Sequence, residues 1–317
     1  MSQTKATLIG LLAILLWSLI VGLIRSVSEA FGPVGGAALI YTVAAAILSA
    51  TVGLPRIRSL PRGYLLWGGL LFVAYELCLS LSIGFAQTGR QAIEVGMVNY
   101  LWPSLTIVFA ILFNRQRANL LIVPGFLVST LGICWILGGE QGLDPAGMWA
   151  NVRINPLSYG LALAGAVIWA GYCSVTARIG GGRNAVTLFF VLVAVALWVQ
   201  YPFAAPVPMS IDARSLLVLV LAAAAMGFGY AAWNVGILHG HVTVLAGASY
   251  FIPVLSAALA ALMLRTPLPM PFWQGAAMVC LGSVLCWQAT RPRKAAPDGA
   301  RPGPAQRAAP RQAARDP

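Results

Sequence analysis

The stretch Val95-Gly-Met-Val-Asn-Tyr-Leu-Trp-Pro-Ser-Leu-Thr-Ile-Val-Phe-Ala-Ile-Leu-Phe113 is apolar enough to cross a bilayer, yet its middle carries Asn99, Tyr100, Trp102 and Pro103. Proline lacks a backbone N–H and crowds the carbonyl four residues earlier, so the helix is expected to bend at Pro103. In lipid a bend survives where neighbours satisfy the freed carbonyl or where the site faces a cavity. The pattern returns as Tyr250-Phe-Ile-Pro253 inside residues 245–264, with Pro253 offset by 150 from Pro103. A proline-kinked aromatic helix used twice predicts a site built between two halves of the chain.

Only 9% of the 317 residues are charged and 59% are hydrophobic, with a mean hydropathy of +0.83. Soluble domains carry about 25% charged residues, so the composition defines an all-α integral membrane protein. Ten apolar runs are long enough to span a ~30 Å hydrocarbon core: roughly 6–25, 33–53, 64–84, 92–113, 119–138, 156–177, 185–203, 214–236, 243–264 and 272–290. The first has no cleavage-site pattern and reads as helix one, not a removable signal. Breaks between the runs are short and rich in Gly, Pro and Arg, as in Pro55-Arg-Ile-Arg-Ser-Leu-Pro-Arg62 and Gly180-Gly-Gly-Arg-Asn184.

A net charge of +12 would suggest nucleic acid in a soluble protein. Here seven of the twenty Lys and Arg fall in 291–317, interleaved with Pro, Ala and Gly. That tail is expected to be disordered and to lie near anionic headgroups; no nucleic-acid partner is implied. Ten spans put both termini on one side. One set of span ends holds Lys5, Arg56, Arg58, Arg62, Arg115, Arg117, Arg178, Arg183 and the tail, while the other holds only Arg25, Arg90, Arg153, Arg214 and Arg265. Basic residues favour the cytoplasm, so both termini are expected there. Glu29, Glu94, Glu140, Asp144 and Asp212 fall on the outer side.

Further residues recur at nearly constant spacing. Trp17 pairs with Trp169 and Gly84 with Gly236 at 152; Tyr100 pairs with Tyr250, Gly125 with Gly275 and Gly132 with Gly282 at 150. The units are 1–142 and 143–290, each with five helices. Five is odd, so the second copy enters the membrane inverted, and carriers of this kind bind substrate near the midplane between the repeats.

Two such repeats, Leu15-Leu-Trp-Ser18 in span one, an aromatic shortly before proline in spans four and nine, and spaced glycines in spans five and ten resemble the EamA-type members of the drug/metabolite transporter superfamily. The resemblance covers about residues 5–290. Tyr100-Leu-Trp-Pro103 and Tyr75-Glu-Leu-Cys-Leu-Ser-Leu-Ser-Ile-Gly-Phe-Ala86 look most like its exporters of aromatic amino acids. That resemblance implies a carrier in the bacterial inner membrane, with spans one, three, four, six, eight and nine around a central cavity. Where many repeats of the family end span four or nine on an acid, this chain has Asn114-Arg115 and Arg265-Thr266. The alternative is an exporter of another metabolite or a lipophilic drug on the same fold. A membrane enzyme or receptor would need larger loops.

Candidate substrate-binding residues are Trp17, Tyr75, Asn99, Tyr100, Trp102, Trp169, Trp233 and Tyr250, whose rings can stack on a flat ligand or hold an ammonium. Tyr172 lies equally deep. Asn99, Trp102 and Thr106 share a helix face, as do Ser249, Pro253 and Ser256, and Asn234 adjoins Trp233. Glu76 is the acid in a span core, which leaves three roles open: proton coupling, an ammonium ligand, or a structural hydrogen bond. Gly84, Pro103, Gly236 and Pro253 are candidate hinges. His239 and His241 fall in a link between spans. Five cysteines without CxxC spacing read as small buried hydrophobes. No catalytic constellation, cofactor motif or metal site is implied, the partners being substrate and bilayer, and a monomer suffices.

Overall fold

The computed structural model describes residues 1–115 and 117–290, and every regular element in them is helical. The basic tail lies outside the described residues. The chain opens with α1 (Gln3–Ser18) and α2 (Ile20–Phe31), bent by 42° at Leu19. No proline is there. Instead Ser18 Oγ donates to Ile14 O at 2.8 Å, a back-bond that bends helices. The first span is therefore broken and runs past residue 25 to Phe31, where Gly32 ends it at φ +76°.

Next come α3 (Pro33–Thr51), a π turn at Tyr64–Gly68, and α4 (Gly69–Gly84). The central stretch forms α5 (Gly89–Asn99) and α6 (Trp102–Asn114), followed by α7 (Ile122–Leu137). The connection beyond it, expected as loop, holds α8 (Pro145–Ile154), which Asp144 caps by accepting from Ala146 N. Then follow α9 (Pro156–Ile179), α10 (Val186–Gln200), α11 (Ala213–His239), α12 (Val242–Ser249), α13 (Ile252–Met263) and α14 (Met270–Ala289). His239 thus closes α11 rather than lying in a link, and His241 N donates to Thr7 Oγ1 at 2.9 Å.

Among the described residues, seven helical segments of 18–26 residues are long and apolar enough to cross a membrane, eight with the bent α1–α2 pair, and α7 and α13 are shorter apolar helices. Leucines and phenylalanines such as Leu112, Phe113, Leu217 and Leu262 are exposed on the outside of the bundle, as lipid contact permits. Inside, α1 packs on α11 and α4 on α9, α3 lies along α10, and α6 and α13 rest on α9 and α1 respectively.

α7 and α14 pack most closely of all, because glycine faces glycine. A Cβ on Gly282 would lie 2.5 Å from Gly125 O and 2.4 Å from Ser129 N, and one on Gly275 would lie 2.6 Å from Gly132 O. Between these crossings Ser129 Oγ donates to Val279 O at 3.3 Å and meets Ser104 Oγ at 2.9 Å. Small residues that let backbones touch are a general means of helix association in lipid.

α11 starts on a reciprocal cap. Asp212 accepts from Ser215 N at 2.7 Å while Ser215 Oγ accepts from Asp212 N at 3.0 Å. The Ser215 amide holds the Asp212 carboxyl below the usual aspartate range. A carboxyl lowered in the folded state contributes stability above its unfolded pKa and loses it as pH falls through the folded value. Asp212→Ala should therefore lower the melting temperature at neutral pH and leave it unchanged in strong acid. Melting curves at both pH values check this; an equal gap at both would remove the cap from the explanation.

Candidate substrate cavity

Proline decides the local geometry. With no N–H on Pro103 and its ring pressed toward the Asn99 carbonyl, α5 stops at Asn99, and Tyr100 N and Leu101 N turn back to Met97 O and Val98 O at 3.0 and 3.2 Å. α6 restarts at Trp102 with Pro103 in its first turn, where a missing N–H does no harm. The expected bend at Pro103 is thus a break at Tyr100–Leu101, two to three residues earlier. Phe251 and Pro253 repeat it between α12 and α13.

A cavity of about 240 Å³ opens beside these breaks, bounded by α1, α2, α4, α5, α6, α9, α11, α12 and α13. That is just under the ~300–1,000 Å³ common for drug-sized ligands, a volume suited to one small molecule. Two clefts of about 390 Å³ lie elsewhere: one where Phe31–Gly35 faces Tyr201–Val207, the other under α8. Neither has the convergent aromatic rings of the smaller cavity.

Trp17 from α1 meets Tyr230 and Trp233 of α11, each at 5.3 Å between centroids. Trp169 from α9 lies 4.3 Å from Tyr75, stacks on Tyr172 at 4.9 Å and 24°, and stands edge-on to Trp102 at 6.3 Å. Asn99 and Tyr100 complete that wall. Asn99 is 4% exposed and its Oδ1 has no hydrogen-bond partner.

Seven of the eight sequence-selected residues therefore share one cavity. Tyr250 does not line it: at the second break Ser249 and Ile252 supply the wall, and the Tyr250 ring packs on Trp287 of α14 at 5.8 Å. Thr106 and Asn234 are likewise absent from the lining, Thr106 Oγ1 donating back to Trp102 O at 2.7 Å. Ser256 is buried. Gly84 abuts Pro33, and a Cβ on Gly236 would stand 2.7 Å from Gly10 Cα, so both candidate hinges sit at tight helix crossings. None of the five cysteines is paired, and Cys173 lines the cavity. Glu94, read from sequence as an outer acid, is 3% exposed and bound by Tyr159 Oη at 2.8 Å and Arg90 Nε at 3.0 Å.

Glu76 is fully buried and lines the cavity. Tyr41 donates to one carboxyl oxygen and Tyr230 to the other, both at 2.6 Å. Neither tyrosine was selected from sequence, though Tyr230 precedes Trp233 by three residues and so shares its helix face. Hydrogen bonds to a charged group contribute ~1.5–3 kcal/mol, so Tyr41→Phe and Tyr230→Phe should each destabilise by about that much. Tyr41 is outside the lining, so Tyr41→Phe should spare transport while Tyr230→Phe reduces it. Melting curves and transport rates measured on the same preparations separate the two; equal transport loss in both would contradict it.

The family model of EamA-like transporters matches residues 156–288. The chain is 60% identical over 294 residues to the aromatic amino acid exporter YddG of Salmonella typhimurium, covering 92% of this chain and 100% of that protein. It is 60% identical to the exporter of that name from Escherichia coli, over 92% of this chain and 99% of the relative. The Ancylobacter novellus exporter of the same name is 30% identical, over 82% and 88%. A protein of known crystal structure has the same fold, at a TM-score of 0.63 and 24% identity over 92% of this chain and 100% of that one. This chain belongs to the EamA-like transporter family, and is a multi-pass membrane transporter rather than an enzyme. Within the family its similarity is to the YddG exporters.

Proposed function

We propose that this protein exports aromatic amino acids from the cytoplasm by alternating access. The observation that carries the reading is the set of rings from α1, α4, α9 and α11 around one small cavity beside two broken helices. The names of relatives at 60% identity support the same substrate class. Ring faces take the aromatic side chain, Asn99 and Glu76 face the ammonium, and neutral donors such as the indole N–H groups meet the carboxylate.

The architecture that supports this mechanism is two inverted five-helix repeats, residues 1–142 and 143–290. Seven long helices and the bent α1–α2 pair supply eight of the ten spans of this arrangement, and the reading assigns the two shorter apolar helices, α7 and α13, to the others. α1 on α11 is matched by α4 on α9. Gly125 meets the counterpart of Gly132, and Gly132 meets the counterpart of Gly125, as a two-fold axis between α7 and α14 requires. Arg115 and Arg265, 150 apart, both end their helices at positive φ, 55° and 51°. Basic span ends argue for cytoplasmic termini, and Gly84, Pro103, Gly236 and Pro253 for the pivots.

Efflux of labelled tryptophan, phenylalanine and a small neutral amino acid from liposomes containing the purified protein tests the reading. Aromatic efflux above that of empty liposomes supports it. Its response to a pH gradient decides whether protons are coupled. No efflux of any amino acid from folded protein would instead favour another metabolite or a lipophilic drug.

A further inference from the structure

The cavity has an acid and, among the described residues that line it, no Lys, Arg or His. Three features look for positive charge. Glu76 receives a phenol hydrogen on each oxygen, both at 2.6 Å, within the short range of an O–H donor on a carboxylate. Asn99 Oδ1, buried and unpartnered, is an acceptor awaiting a donor. The indole faces of Trp17, Trp169 and Trp233 attract cations. Nothing cationic balances them. A carboxylate entering here gives up its hydration for neutral donors alone, which is costly for a charge without a counter-charge.

We propose that the ammonium and the ring, not the carboxylate, are what the cavity selects, and that the protein also transports primary aromatic amines: the same rings and ammonium without the carboxylate. The inference rests on the aromatic cavity being the transport site, as in the function proposed above. An aryl-ethylammonium ion keeps the ring contacts and the attraction to Glu76, and rotation of the Asn99 side chain, whose Oδ1 is buried against Gly165, brings that acceptor to its N–H. It lacks the one group that the wall does not neutralise.

Three probes separate the poles: tryptophan, tryptamine (no carboxylate) and indole-3-propionate (no ammonium). Calorimetric titration of the purified full-length protein, at about pH 8 where a primary alkylamine is still protonated, should show tryptamine binding at least as tightly as tryptophan. Indole-3-propionate should bind weaker by about tenfold or more. Labelled tryptamine should exchange across liposomes faster with protein than without, and unlabelled tryptamine should inhibit tryptophan efflux. Asn99→Leu should weaken tryptamine about tenfold and leave indole-3-propionate unchanged. Should that variant fail to fold, Glu76→Gln is expected to do the same. Tryptamine that binds about tenfold weaker than tryptophan, or is not carried while tryptophan is, overturns the proposal; so do folded variants with unchanged tryptamine affinity. Tryptamine carried without tryptophan would uphold it and remove amino-acid export, whereas binding of neither would remove both.

Discussion

Trp169→Ala should reduce efflux of labelled tryptophan by about tenfold or more, equivalent to ~1.4 kcal/mol. Its indole touches Tyr75, Tyr172, Trp102 and Tyr230 and bridges the α4 and α11 walls. Each well-formed ring pair adds ~0.5–1.5 kcal/mol beyond burial, so a substrate that stacks here loses its main surface when the indole goes. The neighbouring rings, no longer wedged, also lose their fixed orientation. Trp149→Ala is the matched control, removing an indole that is 63% exposed on α8. Transport measured in liposomes at equal protein load should be normal in the control. Equal losses in both variants, or none in Trp169→Ala, would contradict a role for this ring in the cavity.

Gly282→Leu should have the largest effect on stability. The new side chain would start 2.4 Å from the Ser129 nitrogen and 2.5 Å from Gly125 O, and both are backbone. Overpacking a tight contact costs ~1–3 kcal/mol, and more where backbone must move. At roughly 2–4 °C per kcal/mol for somewhat smaller domains, the melting temperature should fall by several degrees. Gly132→Leu should behave alike, because a Cβ there meets Gly275 O at 2.7 Å. Gly247→Leu, with nothing within 4 Å of its Cβ, should melt like the parent. Three indistinguishable melting curves would remove glycine contact as the reason α7 and α14 stay paired.

Much of the fold is legible in the sequence because a span must be apolar for some 20 residues whatever lies around it. The break at Tyr100 and the aromatic wall were legible for a second reason. Proline and buried polar or aromatic groups are costly or conspicuous in such runs, so Asn99, Trp102 and Trp169 mark the cavity. What stays hidden is direction. A helix that faces lipid on one side and neighbours on the other is apolar all round, so nothing in the sequence turns Tyr250 toward Trp287 and away from the cavity. The bend at Leu19 comes from a serine back-bond that many straight helices also carry. Burial of Glu94 depends on Tyr159, 65 residues later, and the Glu76 pair depends on tyrosines of two other helices.

The contact between α7 and α14 also constrains how this transporter can move. Backbones that touch through glycines cannot slide past one another without lifting over Cα atoms, and Ser129 on Val279 O pins the middle of the contact. In the proposed two-repeat arrangement that edge behaves like the spine of a book. The two covers can turn about it but not shear along it, and the widest travel falls at the far edge, where α3 lies against α10.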